Sequence, residues 1–352
     1  MSVLIFSYSK REAGSYWGVV ASNSDSIKVA RVFCIFFMSY VHLHFFALNL
    51  YGADCYMVIR TVFVDVLGRS SVPLLSIISG FLAWGVFQKE ESLGVFKNRA
   101  RKILVPMIIW NALGTSLVFF KAGPFFGLEL FNSVFSLTAS GAYTHLEFLR
   151  DIYVMTLATP LLIYFVKRTP LLLWGLAIGV FAYDLNVYVV LRNQIIFFYV
   201  VGLFFAFYKI YFPVSDLLIG LLLVLIFVGV SVIEVAELYG YGSPGYYYDN
   251  FFRRPLMVVF SWFLCVWLAR GSFVGFFVYL ERYVFLFFLS HVFIFTLIGA
   301  VFYRVKFLHD DIAYAVVWLI SPVVSYLLVV VMRNFWTGLF RRAMSKGGVS
   351  QT

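Results

Sequence analysis

Apolar residues occur along this chain in long runs, separated by short clusters of charged and turn-forming residues. Each run approaches the roughly 20 residues that an α-helix needs to cross a hydrocarbon core of about 30 Å. The pattern therefore predicts an all-α, polytopic membrane bundle of about ten transmembrane helices. The predicted spans lie near 28–48, 72–88, 103–120, 146–166, 171–190, 194–212, 214–234, 255–270, 281–302 and 312–333. The shorter run at 54–68 contains Arg60 and Asp65, which favours an interfacial or re-entrant segment over a span.

The distribution of basic residues predicts an orientation. The chain has 27 Lys and Arg against 17 Asp and Glu, and most of the basic residues are cytosolic if the N-terminus is cytosolic. That bias follows the positive-inside rule, and an even number of spans then puts both termini in the cytosol. We therefore predict one membrane domain over 1–352, with a cytosolic lead-in at 1–27 and a cytosolic tail at 334–352.

Composition excludes several other classes of protein. Hydrophobic residues make up 62% of the chain and charged residues 12%, which leaves too few for the polar surface of a soluble domain. The basic excess therefore indicates cytosolic loops in contact with membrane lipids, and we predict no nucleic-acid partner. The five histidines and three cysteines form neither an HExxH nor a CxxC pattern, so we predict no metal site.

The first predicted span contains two ionisable residues on one helix face. Arg31 and His42 are eleven residues apart, which is almost three turns and roughly 16 Å of helix rise. Arg31 then lies at the cytosolic interface and His42 about halfway through the hydrocarbon core. An ionisable side chain at that depth is costly unless it faces a cavity or a partner, which makes His42 a candidate functional residue. The alternative is a structural histidine that is hydrogen-bonded between helices.

Two further segments supply candidate binding residues. The Ser79-Gly80-Phe81 step lets another helix, or a slim ligand chain, approach the second span closely. Before the third span, Arg99 and Lys102 lie three positions apart and therefore on one helix face. Such a basic pair suits phosphate groups, although an anchor to lipid headgroups has the same composition.

The order of these motifs resembles the bacterial acyltransferase family 3 of integral membrane acyltransferases. That family has a basic residue, ten intervening residues and a histidine in its first span, as at Arg31 and His42. The second span, from Pro73 to Phe81, resembles the family's Pro-to-Ser-Gly-Phe pattern.

Three later segments extend the resemblance. Arg99 and Lys102 match an R-x-x-R pair before a proline, with lysine in place of the second arginine. Residues 145–162 are similar to the family's fourth-span entry, except that Glu147 stands where tryptophan is expected. The stretch LFFLSHVFIF at 286–295 resembles a late span that contains a histidine.

The resemblance implies an O-acyltransferase of the bacterial inner membrane. In the family an acyl group, commonly acetyl, passes from cytosolic acyl-CoA to a hydroxyl of a sugar, here a cell-surface or lipid-linked polysaccharide such as O-antigen of lipopolysaccharide or exopolysaccharide. Arg31, Arg99 and Lys102 would bind the phosphates of acetyl-CoA, and its pantetheine arm would run beside Ser79, Gly80 and Phe81.

His42 would then act as the general base on the acceptor hydroxyl. A carboxylate could orient its imidazole, and Asp151 and Asp65 are the nearest candidates by predicted depth. The alternative is that these carboxylates pair with Arg150 and Arg69 at the outer interface.

His291 lies ten residues into the ninth predicted span, at a depth comparable with that of His42. It is a second catalytic candidate if the two histidines share a cavity. It is a structural group if Ser290 and backbone carbonyls satisfy it instead.

Two other functions agree with a polytopic protein that has intramembrane histidine and arginine. The first is a multi-pass transporter or flippase of a glycan or lipid precursor. No half-to-half repeat is visible, which argues against it. The second is a membrane sensor that binds a ligand without chemistry, in which His42 could be replaced without loss of output.

Overall fold

The computed structural model describes residues 16–43, 54–122, 127–136, 141–183, 190–210, 217–239, 248–304 and 311–346. Every regular element in these ranges is helical, which confirms the all-α fold class. The α-helices are α1 Tyr16–Val41, α2 Asp54–Thr61, α3 Arg69–Phe87, α4 Ser92–Arg99, α5 Val105–Ala122, α6 Leu128–Phe135, α7 Glu147–Arg168, α8 Pro170–Ala182, α9 Asn193–Phe207, α10 Leu217–Leu238, α11 Arg254–Arg270, α12 Val274–Arg304 and α13 Asp311–Lys346. Short helical turns of other types are the π-helical Val62–Gly68, Ala100–Leu104 and Tyr248–Arg253 and the 3-10 turn Thr144–Leu146.

Among the described residues, six helical stretches are long and apolar enough to cross a membrane. They are Tyr56–Phe87, Thr144–Arg168, Gly220–Glu237, Phe251–Arg270, Val274–Val301 and Ala315–Phe335. Two shorter apolar helices are Pro170–Ala182 and Asn193–Phe207. The chain is therefore a multi-pass helical membrane protein. The count of ten spans, the cytosolic placement of both termini and the single domain over 1–352 stay predictions.

The segment 54–68 differs from its predicted form. It makes up α2 and the following π-helical turn, and it continues into α3 as one 32-residue candidate span. The charge of Asp65 is compatible with a continuous helix, because Arg69 Nε, one turn further along, lies 2.9 Å from Asp65 Oδ1. The segment 54–68 is therefore continuous with the second predicted span, and its interfacial position stays a prediction.

The spans differ in how far the bundle encloses them. The bundle buries 61% of the most apolar 18-residue stretch of Tyr56–Phe87, but only 11% of the corresponding stretch of Gly220–Glu237. A helix that is apolar all round is stable in lipid without packing partners on every side. α3 therefore lies at the centre of the bundle, and α10 lies at its edge with most of its surface towards lipid.

A buried ion pair fixes α10 to the bundle despite this exposure. Arg253 Nη1, in the turn before α11, lies 2.6 Å from Glu234 Oε2 of α10, and both side chains are almost fully buried. Next to it, Arg254 Nη1 donates a hydrogen bond to Gln194 Oε1 of α9 at 2.6 Å. These arginines therefore link three helices through polar contacts.

The central packing contact is the crossing of α3 and α9. A Cβ atom added at Gly80 would lie 2.1 Å from the carbonyl oxygen of Tyr199, and one added at Gly202 would lie 2.0 Å from that of Ile77. Glycines at both positions let the two backbones touch, as small residues do in membrane helix pairs. The hydroxyl of Tyr199 also lies 2.7 Å from that of Thr159, which ties α9 to α7.

Replacement of Gly80 by alanine should push α3 and α9 apart. The added methyl group meets helix backbone that cannot yield, and overpacking of this kind costs about 1–3 kcal/mol. We expect a lower midpoint of thermal unfolding in detergent and less inserted protein on blots of membranes.

The matched control is Gly85→Ala on the same helix, where the added Cβ meets nothing within 4 Å. It should leave the unfolding midpoint unchanged or raise it slightly, since alanine favours helix. Equal behaviour of the two variants would show that α3 and α9 do not cross at Gly80.

Candidate active site

Three histidines from distant parts of the chain meet inside the bundle. The ring centroids of His145 and His291 lie 4.5 Å apart, and those of His42 lie 5.4 Å from His145 and 5.5 Å from His291. His42 directly follows α1, His145 lies in the 3-10 turn before α7, and His291 lies within α12. We call these three residues the histidine cluster. The structure thus brings together His42 and His291, which the sequence proposed as possible neighbours.

The backbone of α12 fixes the tautomer of His291. Its Nδ1 atom lies 2.8 Å from the carbonyl oxygen of Phe288 and 3.2 Å from that of Phe287. Carbonyls only accept hydrogen bonds, so Nδ1 carries the hydrogen, and Nε2 of the neutral ring has a bare lone pair. His291 is fully buried, and its Nε2 has no hydrogen-bond partner among the described residues. The backbone carbonyls thus contact Nδ1, as the structural alternative expected, and a catalytic role of His291 stays a prediction.

His145 is a member of the cluster that the sequence reasoning missed. Its ring is 2% exposed, and it forms a hydrogen bond with the backbone of Leu289 on α12. Its Nε2 also lacks a partner within the described ranges. A lone histidine at the entry of an apolar helix is the only sequence signal that could have identified it, and that signal does not show which helix it faces.

His42 is the most accessible member of the cluster. It is only partly buried, while His145 and His291 lie behind it. The predicted span continued to residue 48, but α1 ends at Val41, and the amide of His42 closes the last turn on the Ser39 carbonyl at 3.1 Å. The carbonyl end of α1 is therefore next to this ring.

The carboxylates proposed as partners of His42 make other contacts. Asp151 is fully buried, and its two oxygens accept hydrogen bonds from the backbone amides of Leu191 and Arg192 at 3.1 Å each. Arg150 Nη1 lies 3.3 Å from Oδ1 of the same carboxylate. Asp151 thus anchors the segment before α9, and its catalytic role stays a prediction. Asp65 forms its ion pair with Arg69, as one of the alternatives expected.

A group of charged residues lies around Arg31, near the middle of α1. Arg31 Nη1 lies 3.0 Å from Glu281 Oε1 of α12, and each side chain is about one-fifth exposed. Arg99 lies nearby at the end of α4. Burial lowers the pKa of the Arg99 guanidinium, with the charge of Arg31 acting in the same direction and Tyr199 opposing it. The carboxylate of Glu90 also acts on Arg99, more weakly than Arg31 does. Arg31 and Arg99 thus lie within reach of each other's charge.

The remaining predicted binding residues lie on the adjoining helices. Lys102 is partly buried in the π-helical turn that follows Arg99. The hydroxyl of Ser79 donates to the carbonyl of Leu75 at 2.7 Å, and Phe81 is half-buried. Gly80 lies against the backbone of α9. In this structure the Ser79-Gly80-Phe81 step therefore serves helix packing at Gly80, and its contact with a cofactor stays a prediction.

The site contains no arrangement typical of a metal centre in the part of the chain that the structure describes. No group of three or more His, Cys, Asp or Glu side chains there has the geometry to hold an ion. The histidine cluster therefore offers imidazole nitrogens for proton transfer and hydrogen bonding.

The family comparison covers all of these residues. A family model described as an acyltransferase domain, that of acyltransferase family 3, matches residues 24–334. Comparison with curated proteins and with solved structures gave no match. The matched range includes most of α1, the histidine cluster and the charged residues around Arg31. Because it spans most of the 352 residues, the chain belongs to acyltransferase family 3 and is a membrane acyltransferase.

Proposed function

We propose that this protein is an O-acetyltransferase of the bacterial inner membrane. It takes an acetyl group from cytosolic acetyl-CoA and transfers it to a hydroxyl of a cell-surface or lipid-linked polysaccharide such as O-antigen or exopolysaccharide. The observation that carries the proposal is the double role of α1. This helix presents Arg31, close to Arg99, near its middle, and three turns later it is followed by His42, within the histidine cluster.

The basic residues around Arg31 suit the phosphates of the donor. Arg31 and Arg99 lie close enough for their charges to act on each other, and Arg31 also pairs with the carboxylate of Glu281. Guanidinium groups bind phosphate oxygens through paired N–H donors, and Lys102 adds a third positive charge on the next turn. In the proposed topology Arg31 lies at the cytosolic interface, where acyl-CoA is available.

The spacing along α1 suits the length of the donor. Arg31 and His42 are separated by roughly 16 Å of helix rise. Coenzyme A carries its thioester at the end of an extended pantetheine arm, at a distance from its phosphates. A donor whose phosphates bind Arg31 can therefore present its thioester near His42.

The chemistry requires a base that accepts a proton and returns it. The acceptor hydroxyl gives its proton to His42 as its oxygen bonds to the thioester carbon. The tetrahedral intermediate then expels the coenzyme A thiolate, which takes the proton back from His42. An imidazole suits both steps because its ordinary pKa is close to neutral pH.

The difference in burial supports different parts for the three histidines in this proposal. His42 is the partly exposed ring and is the one that contacts the acceptor. His145 and His291 are buried behind it, with Nε2 lone pairs that can accept a hydrogen bond from a protonated His42. Hydrogen bonds of this kind are often long before substrate binds, as the ring separations here would allow. The partial negative charge at the C-terminal end of α1 also stabilises the positive charge that His42 acquires during the reaction.

His42→Ala should abolish transfer while the protein still inserts. Loss of a general base costs roughly 100- to 10,000-fold in rate. The measurement is incorporation of label from acetyl-CoA into endogenous glycan in membranes, with protein amounts compared by blotting. Retained label would remove His42 from the reaction, and no label from the unmodified protein would indicate another donor or a transporter.

His291→Ala should slow transfer by about tenfold or more without changing the KM for the donor, because His291 acts through His42. The double variant with His42→Ala should then be no slower than His42→Ala alone. Single-turnover rates of the three variants test this. Rate losses that multiply would mean that His291 acts on the substrate independently of His42.

A further inference from the structure

The ion pair between Arg31 and Glu281 joins residues 250 positions apart in the chain. Nothing in the local sequence of α12 indicates this role for Glu281. The contact places a carboxylate inside the donor site described above. The following inference rests on the proposed function, because it assigns Arg31 to the donor phosphates.

We propose that Glu281 is an internal counter-ion that holds Arg31 until the phosphates of the donor displace it. The residue would thereby set the affinity for the donor and favour release of coenzyme A after transfer. It contacts neither the thioester nor the acceptor in this scheme, so it is a specificity-determining residue and not a catalytic one.

The charges of the described residues support exchange over permanent pairing. Arg31 and Arg99 act on each other as like charges, and the attraction of Glu90 on Arg99 is weaker than the repulsion of Arg31. With Lys102 on the next turn, three cations face the carboxylates of Glu281 and Glu90, and this excess of positive charge attracts a polyanion. Once phosphate has bound, however, the carboxylate of Glu281 is a like charge beside it and opposes it.

The geometry also leaves Arg31 able to exchange partners. The ion pair has one close contact, Nη1 to Oε1 at 3.0 Å, and both side chains are partly exposed. A guanidinium group has five N–H donors, so a single contact does not use its binding capacity. By comparison, the pair between Arg253 and Glu234 is almost fully buried and suits a fixed structural link.

This arrangement selects for highly charged ligands. A singly charged lipid headgroup gains little when it replaces a carboxylate of equal charge on Arg31. The several phosphate charges of coenzyme A gain more, because they reach Arg31 and Arg99 together. Glu281 would therefore help to keep the donor site free of lipid phosphates.

Glu281→Gln preserves the shape of the side chain and removes its charge. We expect the purified full chain, in nanodiscs of phosphatidylcholine, to bind coenzyme A about three- to tenfold more tightly after this substitution. Titration calorimetry gives the Kd, and the gain should shrink as salt is raised. Glu281→Asp keeps the charge and should bind as weakly as the unmodified protein.

Asp25→Asn is the matched control. Asp25 lies on α1, the helix of Arg31, and pairs with the cation of Lys28 at 2.7 Å. Its replacement by asparagine removes one negative charge at a position one to two turns from Arg31, and it should change the Kd less than twofold. An equal gain from Asp25→Asn would overturn the specific role of Glu281 and leave only a general effect of net charge.

Arg31→Ala separates failure of this inference from failure of the donor site. If it weakens binding and Glu281→Gln strengthens binding, both proposals are supported. If Arg31→Ala weakens binding but Glu281→Gln has no effect or weakens it too, Glu281 is not a competitor, although the donor site stands. If Arg31→Ala has no effect, or no variant binds coenzyme A, the donor site and the inference both fall. Damaged folding would weaken binding, so it cannot explain tighter binding of coenzyme A by Glu281→Gln.

Discussion

A polar side chain buried among membrane helices must find a partner within the bundle, because the surrounding hydrocarbon offers none. The contacts that shape this protein follow from that requirement. Glu234 and Arg253 satisfy each other at the edge helix, and Asp151 is satisfied by backbone amides. His145 and His291 each have a buried Nε2 atom without a partner in the described residues. Unsatisfied buried nitrogen atoms are costly, and their position next to a third histidine is the basis for the proposed active site.

The helix α1 connects the two halves of this site. Its end at Val41 brings His42 into the cluster, and Arg31 three turns earlier reaches the charged group with Glu281. The crossing of α3 and α9 at Gly80 and Gly202 supports this arrangement from the other side of the bundle. Phosphate binding, thioester placement and proton transfer can therefore be aligned along one rigid element. Membership of acyltransferase family 3 agrees with this division of roles.

The sequence predicted the helices well, because apolar runs of spanning length have few other stable forms in lipid. Helix geometry also determines the spacing of Arg31 and His42 along α1, whereas their common helix face stays a prediction. The sequence did not predict the contacts between helices. The partners of Glu281 and His145 lie far away in the chain, and spacing along one helix does not show which neighbour it faces. The continuous helix through 54–68 was missed because Asp65 and Arg69 neutralise each other one turn apart.

The convergence of α1 and α12 at the histidine cluster is the central claim, and cross-linking in native membranes tests it most directly. The variant carries His42→Cys and His291→Cys in a chain whose three native cysteines are replaced by serine, and a short bifunctional thiol reagent is added. A second pair, Ser70→Cys and Ser261→Cys, serves as reference because these hydroxyls lie 3.3 Å apart. The account predicts that both pairs cross-link. Cross-linking of the serine-derived pair alone would contradict it.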